Sequence, residues 1–308
     1  MIVIGSRGSQ LALWQGRWVE AQLTDHGETC RIEIIRTTGD KIMDAPLAKI
    51  GGKGLFTKEI EDALLAGAID VAVHSLKDIP TEMPAGLALQ AIPPREDVRD
   101  AMVGRKLAEL PAGAKVGTSS LRRAAQLRAA RPDLVIETIR GNLDTRLRKL
   151  HEGQFDAIVL AAAGLRRLGW ADRIAELLSE DIICPAVGQG ALAVETRDDN
   201  GPAARLASRL DDADARAAVT AERALLRSLG GGCQTPIGAY GRIDDSRLHL
   251  RAVIATPDGS RLVRGERAGA AVDAERIGED LAAELLTVGG REILESVYGA
   301  SAVDPRLT

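Results

Sequence analysis

The sequence predicts an α/β protein: two α/β lobes with mainly parallel sheets, followed by a smaller α+β C-terminal domain. Three features of the pattern carry that expectation for the lobes and the tail. Over the first two-thirds of the 308 residues, short apolar runs alternate with amphipathic helical stretches, which is the signature of βαβ units with covered sheet faces. Pro93-Pro94-Arg95-Glu96 breaks this alternation once and marks a link between two rounds of it. From Ala213 the texture changes to one long helix, alternating strands and a final helix.

In the first round, Ile2–Ile4, Ile32–Ile35, Ile69–Val73 and Leu87–Ile92 read as strands, with helices at Leu11–Leu23 and Leu55–Leu65. Leu11, Trp14, Trp18 and Leu23 share one helical face, which makes both tryptophans core residues. The second round has strands at Lys115–Gly117, Leu134–Ile136 and Ala157–Leu160, and helices at Leu121–Ala130 and Leu143–His151. Ala191–Glu195 is one more strand after that round closes, and its expected place is the first sheet, so two crossings join the lobes. A helix at Ala213–Leu229, strands at Ile237–Ile243, Leu248–Ala255 and Arg261–Gly265, and a helix at Ala274–Leu286 complete the chain. The expected domains are 1–93 plus 191–209, then 96–186, then 213–308.

Composition narrows the function classes. A hydrophobic content of 45% with 27% charged residues describes a globular chain. Aromatic residues make up only 2%, which argues against base stacking, and the net charge of −4 offers no basic field for nucleic acid or an anionic membrane. Cys30, Cys184 and Cys233 are far apart and form no CxxC pair, as expected of free thiols in a reducing cytosol. Met1–Gly5 starts as a strand rather than as a signal segment, and the apolar stretch Ala157–Leu165 is too short for a bilayer. A cytoplasmic protein is expected.

Several standard chemistries lack their motifs. Gly51-Gly52-Lys53-Gly54 has neither the glycine spacing nor the hydroxyl of a P-loop. Gly188-Gln189-Gly190 precedes a strand, the wrong side for a dinucleotide fingerprint. His26, His74, His151 and His249 have no metal-ligand spacing, and no metal is expected.

What stands out is positive charge at strand-to-helix junctions. Gly117-Thr118-Ser119-Ser120-Leu121-Arg122-Arg123 follows a strand and opens a helix, with Ser119 or Ser120 as N-cap and free N–H groups suited to an anion. Two arginines in a first helical turn oppose the helix dipole; they are either a solvated surface pair, by default the commoner case, or a functional pair, since a local rule broken this way tends to mark function. Arg140-Gly141-Asn142 repeats the theme. In the next helix Leu143, Leu147 and Leu150 form the buried stripe; Arg146 lies beside it and Arg148 points nearly opposite. Arg166-Arg167 follows the small-residue run Ala161-Ala162-Ala163-Gly164. Arginines outside the carboxyl ends of strands suit a ligand rich in carboxylates or phosphates. In the first lobe, Val71–Val73 leads to His74-Ser75-Leu76-Lys77-Asp78-Ile79-Pro80, whose Lys-Asp pair is either a surface ion pair or a stabiliser of a cationic intermediate. Cys233, after Gly230-Gly231-Gly232, lies on an approachable loop.

Taken together, Ser6–Ala12, Gly51–Phe56, His74–Pro80, Gly117–Arg123, Arg140–Asn142, Pro185–Gly190 and Gly231–Gln234 resemble the hydroxymethylbilane synthase (porphobilinogen deaminase) family in order and spacing, over essentially the whole chain. The resemblance implies lobes akin to those of periplasmic binding proteins and a dipyrromethane cofactor on the sulfur of Cys233. It places the catalytic residues at Asp78, the catalytic carboxylate, and Lys77 beside it. Cofactor-binding roles fall on Arg7, Ser9, Lys53, Lys77, Asp78, Thr118, Ser120, Arg122, Arg123 and Arg140, and substrate-binding roles on Arg7, Arg140, Arg146, Arg167 and Gln189. One departure is Val3, where many members carry arginine.

The implied reaction condenses four porphobilinogen molecules head to tail with loss of ammonia. The acetate and propionate arms accumulate and call for the arginines, while Asp78 stabilises the cationic azafulvenium and helps remove the ring proton. Water then releases the linear tetrapyrrole. The enzyme is expected to be a monomer acting on a small molecule, without nucleic-acid or membrane partners. The rival is a non-catalytic two-lobed receptor for a polycarboxylate.

Overall fold

Strand direction shows how the lobes are built. The computed structural model describes residues 1–41, 55–231 and 236–298, so Lys53, Cys233 and the motif Gly51–Gly54 lie outside the described residues. The described strands form three sheets. In the first, the order is β2 (Cys30–Ile34), β1 (Ile2–Ser6), β3 (Val71–Ser75), β10 (Leu192–Arg197), β4 (Leu87–Ala91). β1 is parallel to β2 and β3, and β10 is antiparallel to both neighbours, so every strand but β10 points one way. The second sheet repeats the plan as β7 (Val135–Glu137), β6 (Lys115–Gly117), β8 (Ala157–Ala161), β5 (Asp100–Val103), β9 (Ile174–Leu177), with β5 alone reversed.

The reversed strands sit where the chain changes unit. Met1–Glu96 with Gly190–Arg216 forms one compact unit, and Asp97–Gln189 with Ala217–Thr308 the other. β5 is the first strand after Asp97, and β10 the first after Gly190. The Pro93–Glu96 link thus ends at a unit boundary, and the strand expected at Ala191–Glu195 does return to the first sheet.

Two-residue periodicity covers both faces of these two sheets. Ile2, Ile4, Val71 and Val73 pack with Val19 and Leu23 of α1 (Gln10–Asp25) and with Leu206 just before the end of α6 (Pro202–Ala207). Val3 and Ala72, one step out of phase, face Ile60 and Leu64 of α2 (Lys58–Leu65). In the second sheet Met102, Val116 and Val159 meet Leu127 of α3 (Leu121–Ala130). Ala101, Val103, Ile158 and Leu160 meet Leu143, Leu147 and Leu150 of α4 (Leu143–His151) and Leu165 of α5 (Ala162–Arg167). The third sheet is the antiparallel meander β11 (Ile237–Asp244), β12 (Arg247–Ala255), β13 (Leu262–Ala270). It shares a core with α7 (Ala213–Ser228), α8 (Ala274–Leu285) and α9 (Arg291–Tyr298).

Some expectations shift. The buried face of α1 is Ala12, Gln15, Gly16, Val19 and Leu23, one position round from the expected stripe, so Trp14 and Trp18 are only half-buried. α2 begins at Lys58 rather than Leu55, because Leu55–Thr57 form a turn before it. β5, β9 and α9 were not foreseen: β5 is four residues led by an aspartate, and β9 is a short edge strand. Among the described residues no helix is long and apolar enough to cross a membrane.

Candidate active site

Because β6, β7 and β8 are adjacent and parallel, the segments that follow them leave from one edge of the second sheet. That edge gathers Thr118–Arg123, Arg140–Asn142 and Ala162–Arg167. Ser120 is the N-cap of α3 and its Oγ accepts from the Arg123 N–H at 3.4 Å, whereas Ser119 donates to the Ile139 carbonyl. Thr118 Oγ1 accepts from the Ser120 N–H at 3.2 Å. The arginine pair that defies the helix dipole is explained by a residue the sequence did not single out, Asp100 at the start of β5. Arg122 Nη1 donates to Asp100 Oδ2 at 2.7 Å and to the Cys184 carbonyl at 2.7 Å. Arg123 donates through Nε and Nη2 to Asp100 Oδ1 at 2.9 and 2.6 Å, and through Nη1 to the Val159 carbonyl at 3.2 Å. Arg122 and Arg123 are 4% and 6% exposed and Asp100 0%. Burial alone would raise the Asp100 pKa, but the two guanidiniums outweigh it and hold the carboxyl well below its ordinary range.

Gln189, expected to touch substrate, is buried: its Nε2 donates to the Val98 carbonyl at 2.6 Å and to Asp100 Oδ1 at 3.0 Å. Arg140 is half-buried and has no hydrogen-bond or ion-pair partner among the described residues. Gly141 after it adopts φ +106°, a conformation that L side chains rarely take, which turns the chain into α4. Arg146 Nε then donates to the Gly141 carbonyl at 2.8 Å, while Arg148 is exposed and pairs with Glu152. Arg167 is buried, and Arg166 pairs with Asp97 at 2.9 Å.

In the other unit β1 and β3 are adjacent and parallel, so Arg7 and Ser9 after β1 share a sheet edge with Lys77 and Asp78 after β3. Ser9 caps α1 by accepting from the Ala12 N–H at 3.3 Å. Arg7 donates through Nε to Asp40 at 3.1 Å and stacks 4.2 Å from the Phe56 ring centroid. Against the pull of partial burial, Arg7 and Thr37 hold the Asp40 carboxyl below its usual value. Leu76–Asp78 form a 3-10 turn, fixed at its start by the Leu76 N–H donating to the Ala191 carbonyl at 3.0 Å. The half-buried Asp78 carboxylate has no hydrogen-bond or ion-pair partner among the described residues. Behind this turn, buried His74 Nε2 lies 3.0 Å from Glu195 Oε2, a long-range pair invisible to motif reading. Val3, the family's frequent arginine position, is instead part of the packing under α2.

These sites define a class: a two-lobed α/β protein, with an added α+β meander, whose strand ends carry guanidinium groups in one unit and, in the other, a carboxylate without a partner among the described residues. The chain matches family models described as porphobilinogen deaminase, dipyromethane cofactor binding domain, over residues 2–205, and porphobilinogen deaminase, C-terminal domain, over residues 216–287. It is 53% identical over 305 residues to porphobilinogen deaminase of Syntrophobacter fumaroxidans, covering 97% of this chain and 99% of the relative. The same enzyme of Trichlorobacter lovleyi is 52% identical over 299 residues, covering 96% of each chain. A solved structure, the methionine binding protein MetQ, is similar with a TM-score of 0.44 and 13% identity over 68% of this chain and 89% of that one. The chain belongs to the porphobilinogen deaminase family. Its activity is that of a transferase, hydroxymethylbilane synthase, in tetrapyrrole synthesis, and its cofactor is a dipyrromethane. A non-catalytic receptor is not favoured.

Proposed function

We propose that the chain assembles four porphobilinogen units on a dipyrromethane primer held by the sulfur of Cys233, with Asp78 as the catalytic carboxylate. The reading divides the chain into lobes 1–93 plus 191–209 and 96–186 and a domain 213–308, and takes it as a cytoplasmic monomer. The observation that carries it is the cationic edge of the second sheet, above all half-buried Arg140 without a partner among the described residues.

That donor set fits a ligand of many carboxylates. Arg122 Nε and Nη2 have no partner among the described residues, which leaves a fork for a carboxylate once Asp100 has taken Nη1. When bound, the dipyrromethane supplies a permanent free pyrrole α-carbon to which the first substrate is joined. Arg122, Arg123, Arg140, Thr118 and Ser120 hold its acid arms, with Arg7, Ser9, Lys53 and Lys77. Arg7, Arg140, Arg146 and Arg167 receive the arms of incoming porphobilinogen, and Gln189 supports that group. Asp78 holds the pyrrole N–H of the reacting ring, stabilises positive charge as ammonia leaves, and accepts the proton from the ring carbon once the new bond has formed. Lys77 beside it is the second catalytic residue.

Intact mass of the purified chain tests the reading. Wild type is expected to exceed its sequence mass by two pyrrole units, and Cys233→Ser to match its sequence mass. Wild-type chain at the bare sequence mass, from cells that make porphobilinogen, overturns it.

A further inference from the structure

The arginine pair is held from behind by groups to which the proposed reaction gives no chemical step. Asp100 Oδ1 accepts from Arg123 Nε, Arg123 Nη2 and Gln189 Nε2, and Oδ2 accepts from Arg122 Nη1. Gln189 is fixed at both ends, since Nε2 also donates to the Val98 carbonyl and Oε1 accepts from Arg123 Nη2 at 3.4 Å. Its loop is pinned one residue earlier. The Gly188 N–H donates to Glu222 Oε2 at 2.7 Å, and Glu222 Oε1 accepts from the Gly241 N–H of β11 at 2.7 Å. Glu222, Gln189 and Asp100 are each 0% exposed.

We infer that Asp100 and Gln189 are positioning residues that aim the Arg122–Arg123 pair at its anionic ligand, with Glu222 anchoring Gln189's loop to β11. The inference rests on the reading that this pair holds the primer's carboxylates. Stability does not account for the arrangement, because a buried ion triad replaced by well-packed apolar side chains is often as stable or more so. Orientation does account for it. A guanidinium binds a carboxylate through two parallel N–H bonds, so a rotated fork loses one of them. Two adjacent buried guanidiniums also repel, and Asp100 lowers their joint charge from two to one while leaving the outer donors of Arg122 unspent. Gln189 adds a third donor to Asp100 Oδ1, which restrains that carboxylate from turning away from the arginines.

The test compares Asp100→Asn, Gln189→Met and Arg122→Ala in the full chain. It reads melting temperature, primer occupancy by intact mass, and kcat and KM for porphobilinogen per loaded chain. Gln189→Met keeps both arginine–aspartate pairs and stays informative if Asp100→Asn folds poorly. The expected result for Gln189→Met is primer occupancy or kcat per loaded chain lower by about tenfold, the worth of one charge-assisted hydrogen bond, with KM within about twofold. A purely structural role would lower the yield of folded chain and leave both per-chain values at wild type, and that result overturns the inference. Full occupancy in Arg122→Ala would instead overturn the underlying reading, which separates the two failures.

Discussion

Asp78→Asn should separate catalysis from stability more cleanly than any other single change. The carboxylate it removes has no hydrogen-bond or ion-pair partner among the described residues and is half-buried, so an isosteric amide breaks nothing that the fold uses. The expected stability change is within about 0.5 kcal/mol, the range of surface substitutions. The catalytic cost is of another order. Loss of a preorganised group facing developing charge costs roughly 10²–10³ in kcat, and loss of a proton acceptor is worth a similar factor. A fall of about 10³ in turnover, equal to about 4 kcal/mol of transition-state stabilisation, is therefore expected. Urea denaturation gives the first quantity, and steady-state release of ammonia and tetrapyrrole gives the second. Turnover within about fivefold of wild type would refute the role given to Asp78.

Asp100→Ala leaves two buried guanidiniums without their carboxylate and should cost about 3–5 kcal/mol in urea denaturation. Because the folded-state pKa of Asp100 is depressed, the pair's contribution is complete above the unfolded carboxyl value near pH 4 and drains away as pH falls toward the folded one. The acid limb of wild-type stability should therefore be steeper than that of the variant. Glu61 has the opposite sign. Burial first, and then the charge of Glu195, push its carboxyl up, so its effect on stability is least harmful at low pH and grows as pH rises through the raised value. Glu61→Gln should then gain relative to wild type on moving from pH 4 to pH 7, and equal pH slopes would contradict it. Gly278→Ala should cost about 1–3 kcal/mol, since a Cβ there would meet the Ala221 carbonyl oxygen at 2.2 Å where α8 crosses α7. An unchanged melting curve would show that the helices part freely.

The fold was legible where local rules act alone. α3 and α4 were read to their end residues, because Ser120 supplies an N-cap and Leu143, Leu147 and Leu150 a clear stripe. β1 and β6 were visible as short runs beside turn residues. β5 was not, since its leading Asp100 looks like a loop residue until its arginine partners, 22 and 23 positions away, are known. Still longer separations, 121 and 34 positions, hide His74 with Glu195 and Gly188 with Glu222. The candidate site was legible as a set of unusual charges at strand ends. What escaped was how those charges are neutralised: Arg7 by Asp40, and Arg122 with Arg123 by Asp100. Gln189 illustrates the limit, because the family resemblance gives it a substrate-binding role while its buried side chain turns to Asp100.

The central claim is that a thioether-held primer on this chain grows by one substrate at a time. Mass spectrometry of wild-type protein, quenched soon after mixing with limiting porphobilinogen, tests it most directly. The account predicts discrete increments of one deaminated substrate unit above the primer-bearing mass, absent from Cys233→Ser and stalled in Asp78→Asn. Tetrapyrrole appearing in solution while the protein mass never changes would contradict it.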